Sequence, residues 1–263
     1  VFTFTTSGRT FTILGDEDVT IKGLATGPGA TSVSISNQLS ANSFNLTGGS
    51  PAINLDASTT SLSVVMDGQG SMAVGTSDTG AGDGDGVQGI VGGGLTALNV
   101  TYQAGAANTS GSLDLGAIDT PETGALADGF SVSVSNLRGG TVQDTSVQLN
   151  ASVAAGNSIS FDGVALEIDE AASFGSGASL ALDNTETTGS DTALASVPFD
   201  ASSNIEVASG KTVTMTAEKT DSITAAGGTI TGSGTLVITD LDQTLTVDLT
   251  NISVSTISAC SKV

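Results

Sequence analysis

The chain has 263 residues, with 27 acidic against 6 basic side chains, a formal charge of −21, and neither histidine nor tryptophan. The six cations (Arg9, Lys22, Arg138, Lys211, Lys219, Lys262) are scattered and form no patch to neutralise phosphates, so nucleic acid and anionic membrane surfaces are poor partners. The missing histidine excludes Ser-His-Asp and Cys-His catalysis and ordinary zinc sites, and with 3% aromatics and 35 glycines the core must be aliphatic, thin and turn-rich.

From the N-terminus, Phe2 and Phe4 alternate with threonine, Ser7-Gly8 reads as a turn, and Phe11 and Ile13 answer them. That pattern predicts a terminal hairpin. Its alternative is a strand lent to a neighbour's sheet edge, with Phe2, Phe4, Phe11 and Ile13 as the assembly residues. Further bursts follow at Val33/Ile35, Phe44/Leu46, Ile53/Leu55, Leu62/Val64 and Met72/Val74, the last four starting nine or ten residues apart. Even spacing of short strands belongs to sandwiches, barrels and solenoids. Residues 1–75 read as an N-terminal β unit.

Gly75 to Gly94, GTSDTGAGDGDGVQGIVGGG, breaks the rhythm, and a Gly/Asp-rich loop or hinge is expected over 76–94. Asp78, Asp83 and Asp85 place hard oxygen ligands on flexible turns, which makes Ca2+ the one cofactor to name. The EF-hand spacing is not met, because Val87 stands where a third Asp or Asn is needed. A plain polar loop is the other reading.

Residues 95–263 read as a C-terminal β unit, unless the whole chain is one continuous β domain. Leu98/Val100, Leu113/Leu115, Val132/Val134, Val147/Leu149, Ile159/Phe161 and Val164/Leu166/Ile168 continue the alternation. Glu167, Asp169 and Glu170 are the carboxylates on which acid–base cleavage of a glycosidic bond would draw, with Arg138 or Lys211 as the basic partner. Tyr102 is the only tyrosine, so an aromatic sugar platform is not expected. Ser209-Gly210-Lys211-Thr212 lacks the earlier glycine of a phosphate loop, since that position is Ile205. Short helices fit only around 168–174 and 191–197.

The clearest ladder runs from Ile205 to Ile257, with bursts at Ile205/Val207, Val213/Met215, Leu236/Ile238, Leu245/Val247/Leu249 and Ile252/Val254. Asp240, Asp242 and Asp248 read as a solvated strand face. Within this ladder GGTITGSGTLVITD, from Gly227 to Asp240, resembles the turns of bacterial secreted β-helix proteins, the haemagglutinin-like and autotransporter-passenger adhesins. The resemblance implies a surface-displayed or secreted fibre-like protein and not an enzyme. Cys260, the single cysteine, has no internal disulfide partner and reads as a small buried side chain. Asn-X-Ser/Thr triplets at Asn45, Asn99, Asn108, Asn150 and Asn251 are candidate glycosylation positions. No apolar run reaches the roughly 20 residues of a transmembrane helix. The chain starts at Val1 without a signal peptide: either a leader has been removed or it is a piece of something longer.

These readings predict an all-β fold of many short strands, β-solenoid-like or a β-sandwich, with little or no helix. The expected function is an extracellular or cell-surface structural protein. It assembles with copies of itself as a filament, sheath or surface-layer subunit, or forms part of an adhesin. A glycan- or surface-binding module is the rival, followed by a carbohydrate-active β-helix enzyme.

Overall fold

A run of three to eight residues that alternates apolar and hydroxyl side chains buries one face only. Such a run is marginal alone and needs neighbours on both edges. Stacked coils, each adding one strand to each of several sheets, meet that need. This is the architecture of the computed structural model, which describes residues 1–46, 51–75, 88–104, 111–119, 124–138, 145–168, 172–182, 186–187, 203–242 and 247–261.

The first half contains β1 (Phe2–Phe4), β2 (Arg9–Gly15), β3 (Val19–Ile21), β4 (Leu24–Thr26), β5 (Ser32–Leu39), β6 (Phe44–Leu46), β7 (Ile53–Asn54), β8 (Ser61–Met66), β9 (Met72–Val74), β10 (Gln88–Val91), β11 (Ala97–Tyr102) and β12 (Leu113–Asp119). Then come β13 (Phe130–Asn136), β14 (Thr145–Asn150), β15 (Ser152–Val153), β16 (Ser158–Asp162), β17 (Ala165–Ile168) and β18 (Ser173–Phe174). The last part holds β19 (Ser179–Leu182), β20 (Glu186–Thr187), β21 (Asn204–Val207), β22 (Thr212–Thr216), α1 (Ala217–Ala225), β23 (Thr229–Gly232), β24 (Thr235–Leu241), β25 (Ile252–Ser253) and β26 (Thr256–Ser261).

Every strand pairing among the described residues is parallel. The fold is therefore a parallel β-solenoid and not a sandwich of antiparallel sheets. One ten-stranded sheet, β2-β5-β8-β11-β13-β16-β19-β21-β23-β25, runs through it from first coil to last. In the early coils two short strands complete each turn, in the ladders β1-β4-β7-β10 and β3-β6-β9, which gives a three-sided coil. The two ladders merge on β12: Leu113 and Asp114 pair with β9, while Ala117, Ile118 and Asp119 pair with β10. Toward the C-terminus the coil has two sheets, β20-β22-β24-β26 facing the long one.

The hairpin prediction fails. β1 pairs with β4 and β2 with β5, so the two strands lie on different sides of one coil. Ser7-Gly8 is a coil corner, with Gly8 at φ +71°. A corner and a hairpin use the same Gly and Ser chemistry, so the residues alone do not separate them. Strands β8 and β11, which flank 76–94, pair in register from Ser61↔Ala97 to Met66↔Tyr102.

The core is a set of in-register columns. Val33, Leu62, Leu98, Val132, Phe161 and Leu182 stack in one, and Phe130, Ile159, Leu180, Ile205 and Ile230 in another. Each of these side chains is buried, and each contributes about 1.5–3 kcal/mol of transfer free energy. Polar side chains at the corners bond between coils. Thr59 is buried and donates to Ala30 O at 2.6 Å, while its oxygen lies 2.7 Å from that of Thr26, which accepts Asp56 N–H at 2.8 Å. Buried Asn37 donates to Gly70 O and Ser71 O and accepts Leu39 N–H.

A helix appears where a strand ladder was expected. α1 interrupts the stretch from Ile205 to Ile257, capped by Thr216, whose hydroxyl accepts the Lys219 N–H at 3.3 Å. Its buried side includes Ala217, Thr220, Ile223 and Thr224, and it packs on β22, β23 and β24. The segment predicted helical near 168–174 instead contains β18, and residues 191–197 lie outside the described residues.

Candidate functional site

A parallel stack satisfies the backbone of its inner coils and leaves one edge of each end strand unpaired. Among the described residues, β1, β2 and β3 of the first coil each pair on one side only, with β4, β5 and β6. The four predicted assembly residues converge on this coil. Phe2 and Phe4 lie 4.9 and 6.5 Å, centroid to centroid, from Phe11, and Phe11 stacks at 6.5 Å on buried Phe44. Ile13 faces inward and is buried, whereas Phe2 is 51% exposed. The cluster therefore continues the core columns into the first coil.

Two further apolar residues of this end are exposed: Val1 at 78% and Leu14 at 68%. The signal for Leu14 was present, since Ile13 and Leu14 are adjacent on one strand and must face opposite sides. At the other end, among the described residues, β25 and β26 pair only with β23 and β24, and Leu249 and Ile257 are exposed. Five of the six large hydrophobics exposed among the described residues lie on these two end coils, with Leu137 the sixth. Cys260 is exposed on β26, a correction to its expected burial.

The ends differ in charge. Arg9 and Lys22 belong to the first coil, with Asp16, Glu17 and Asp18 at its corner. Asp240, Asp242 and Asp248 surround the last, all exposed or half-buried. They do not form the even strand face expected of them. Asp240 sits at φ 56° at the irregularity where β24 and β26 shift register, and Asp248 caps the short 3-10 turn Leu249–Asn251.

Two carboxylates are held below the usual aspartate range: Asp56 by the Ser58 hydroxyl and then its N–H, at 2.7 and 2.9 Å, and Asp248 by the Thr250 N–H and then its hydroxyl, at 2.9 and 2.7 Å. Their stabilising effect is fully present above the unfolded aspartate value of about 3.9 and is lost as pH falls through the lowered folded value. Carboxyl-carbon NMR titration is expected to place both midpoints below the ordinary value, with Ser58→Ala raising that of Asp56. A midpoint at the ordinary value would contradict the turn geometry.

The remaining predicted sites divide. Asp78, Asp83 and Asp85 lie outside the described residues, as do Asp169, Glu170 and Asn108. Among the described residues no three acidic or thiol groups gather as a metal site. Arg138 is engaged in the scaffold: Nη2 donates to Met66 O and Gly68 O, Nε donates to Gln103 O, and the guanidinium lies 5.3 Å from the Tyr102 ring centre. Lys211 follows the Gly210 corner directly into β22, where a phosphate loop would need a helix. Asn99 is exposed, while Asn45, Asn150 and Asn251 are half-buried, Asn251 donating to Thr224 O. A small cavity beneath Phe4, bordered by Leu24, Ile35, Ile53 and Leu62, carries no titratable side chain. Among the described residues no helix is long and apolar enough to cross a membrane. No family model matches the chain, and no match is found among curated proteins or solved structures.

Proposed function

We propose that the chain is an extracellular or cell-surface structural subunit that assembles with copies of itself through the open β edges of its end coils. One observation carries this reading: exposed large hydrophobics concentrate on the two coils whose strands have unpaired edges. Unpaired strand edges beside apolar side chains are the usual template for strand addition. The charge of −21 opposes close approach of copies and is screened within about 8 Å at physiological salt, so assembly is governed by ionic strength.

Sedimentation velocity from micromolar to millimolar protein, at low and at physiological salt, tests the proposal. The expected result is a sedimentation coefficient that rises with concentration, and rises further with salt, with elongated particles in negative-stain micrographs. A constant monomer coefficient across the whole series would overturn it. Adding millimolar calcium to the same series asks whether Asp78, Asp83 and Asp85 take part: a calcium-specific gain beyond the ionic-strength effect is expected if they bind the ion.

A surface-binding module is the second reading, favoured by the outer face of the long sheet. Ser32, Ser61, Ser131 and Ser160 fall in one register column, interrupted by Ala97, and Ser34, Ser63, Asn99 and Ser133 in the next, which continues to Asp162. Most of these side chains are short and polar on an otherwise acidic protein. Retention on insoluble polysaccharide by a chain that stays monomeric would favour this reading over assembly.

A further inference from the structure

One asparagine of the long sheet is placed to carry a sugar. We infer that Asn99 bears an N-linked glycan on the outer face of that sheet. This rests on the extracellular reading above and adds a modification site to it.

Asn99-Val100-Thr101 lies on β11. Strand alternation sends Asn99 and Thr101 out of the coil, while Leu98, Val100 and Tyr102 are buried. The acceptor amide and the hydroxyl two residues on, both needed by an N-glycosylation triplet, therefore share one face. Asn99 itself is exposed. Its neighbours across the sheet are Ser63 and Ser133, and those along the strand on the same face are Ala97 and Thr101. None of the four is longer than threonine, so none overhangs the amide. Ser133 Oγ donates to Asn99 Oδ1 at 3.0 Å, which holds the carbonyl side of the amide against β13 and turns Nδ2 away from that hydroxyl.

The other described triplets lack this placement. Asn45, Asn150 and Asn251 are half-buried, and Asn251 Nδ2 already donates to Thr224 O at 3.3 Å. A sugar on a half-buried amide must leave the coil or open it. At Asn99 it stands clear of the core, whether it arrives before or after folding.

The transfer needs one co-reactant, an oligosaccharide carried on a lipid phosphate or pyrophosphate. Asn99 Nδ2 forms a bond to the anomeric carbon. The bond from that carbon to the phosphate oxygen breaks, the phosphate leaves with the electron pair, and the amide gives up one proton to a base of the transferring enzyme. The product is bulky and hydrated. It covers the middle of the long sheet's outer face, between β8 and β13, and keeps that face off other surfaces. An occupied Asn99 therefore opposes the second reading, in which this face binds a surface. It leaves uncovered the strand edges on which self-assembly draws.

The test takes the chain from the cells that make it, with the medium and cell-surface fraction kept apart from the cell interior. Peptides are fragmented by electron transfer, which leaves a sugar on its side chain. The expected result is an oligosaccharide mass on Asn99, with Asn45, Asn150 and Asn251 bare. Asn99→Gln made in the same cells is expected to lose that mass and keep the far-UV spectrum of the parent, since the replaced side chain is exposed. A bare Asn99 on chain recovered outside the cell overturns the modification and leaves the extracellular reading standing. Chain found only inside the cell, with Asn99 bare, overturns the extracellular reading and the modification with it. Sugar on Asn45, Asn150 or Asn251 of folded chain, with Asn99 bare, overturns exposure as the feature that selects the site.

Discussion

Arg138→Met is expected to destabilise the solenoid by about 3 kcal/mol. Arg138 follows β13, yet its guanidinium donates to carbonyls of two earlier coils: Met66 at the end of β8, Gly68 just after it, and Gln103 after β11. Its own N–H is fixed by Asn136 Oδ1 at 3.0 Å, and its planar group lies over Tyr102, whose ring is fully buried. Hydrogen bonds from a charged donor are each worth roughly 1.5–3 kcal/mol, and the cation–π contact adds about 0.5–1 kcal/mol. Nη1 is buried with no hydrogen-bond partner, which offsets part of this gain. Methionine fills a similar volume but leaves three corner carbonyls without that donor. Of these, Met66 O keeps the Gln103 N–H.

Arg138→Lys keeps the charge but presents a compact ammonium that cannot span the same fork, so it is expected to recover at most about a third of the loss, roughly 1 kcal/mol. Urea unfolding reads both values. Hydrogen exchange adds the location: the Leu137 amide, bonded to Tyr102 O at 2.9 Å, and the Gln103 amide are expected to exchange faster in the methionine variant. Equal stability of the methionine variant and the parent would mean that the corner is held by packing alone.

What the sequence disclosed follows from which interactions are local. Strand alternation is local, and it placed the inward faces of β5, β8, β11, β16 and β24 correctly at Val33/Ile35, Leu62/Val64, Leu98/Val100, Ile159/Phe161 and Leu236/Ile238. The nine-to-ten-residue rhythm from Phe44 to Met72 is also real: it is the length of one side of a three-sided coil, β6, β7, β8 and β9. The coil period stayed hidden because corners vary. Along the long sheet Arg9 pairs with Val33, Val33 with Leu62, Leu62 with Leu98, Leu98 with Val132, Val132 with Phe161 and Phe161 with Leu182, so successive coils take 24, 29, 36, 34, 29 and 21 residues. A ladder that tolerates such insertions constrains only the strands, as surface loops of different length cost little.

The helix was missed for a related reason. TMTAEKTDSITAAGG continues the threonine-rich texture of the strands before it, but Thr216 stands at a cap, Glu218 lies in the first turn and Gly227 closes the end at φ +86°. Those are local helix signals; the alternating bursts on both sides outweighed them. The candidate site was half legible. Phe2, Phe4, Phe11 and Ile13 were readable as one apolar terminal group, whereas Leu249 and Ile257 acquire their meaning only from the position of β25 and β26 at the far end of the stack.

Gly116→Ala is expected to cost about 3–4 kcal/mol, while Gly129→Ala, at nearly the same backbone angle, costs about 1 kcal/mol. The two glycines separate conformational strain from contact. Gly116 has φ +61° and Gly129 φ +75°, both in the left-handed region that disfavours a side chain. Around Gly129 a Cβ would meet nothing within 4 Å. At Gly116 it would stand 2.0 Å from the Val74 carbonyl oxygen, the last residue of β9. Backbone on both sides of that contact is fixed: Asp114 Oδ1 accepts the Gly116 N–H at 2.9 Å, and Val74 ends a strand paired with β6. Gly116 is also the point where β12 changes partners from β9 to β10, which makes it the place where the two short-strand ladders join. An added methyl must therefore push apart two ladders and not merely twist a loop. Urea midpoints for the pair give the difference directly. If both variants lose the same stability, the close approach of β12 to β9 is not what requires glycine there, and the merging of the two ladders rests on the bulge alone.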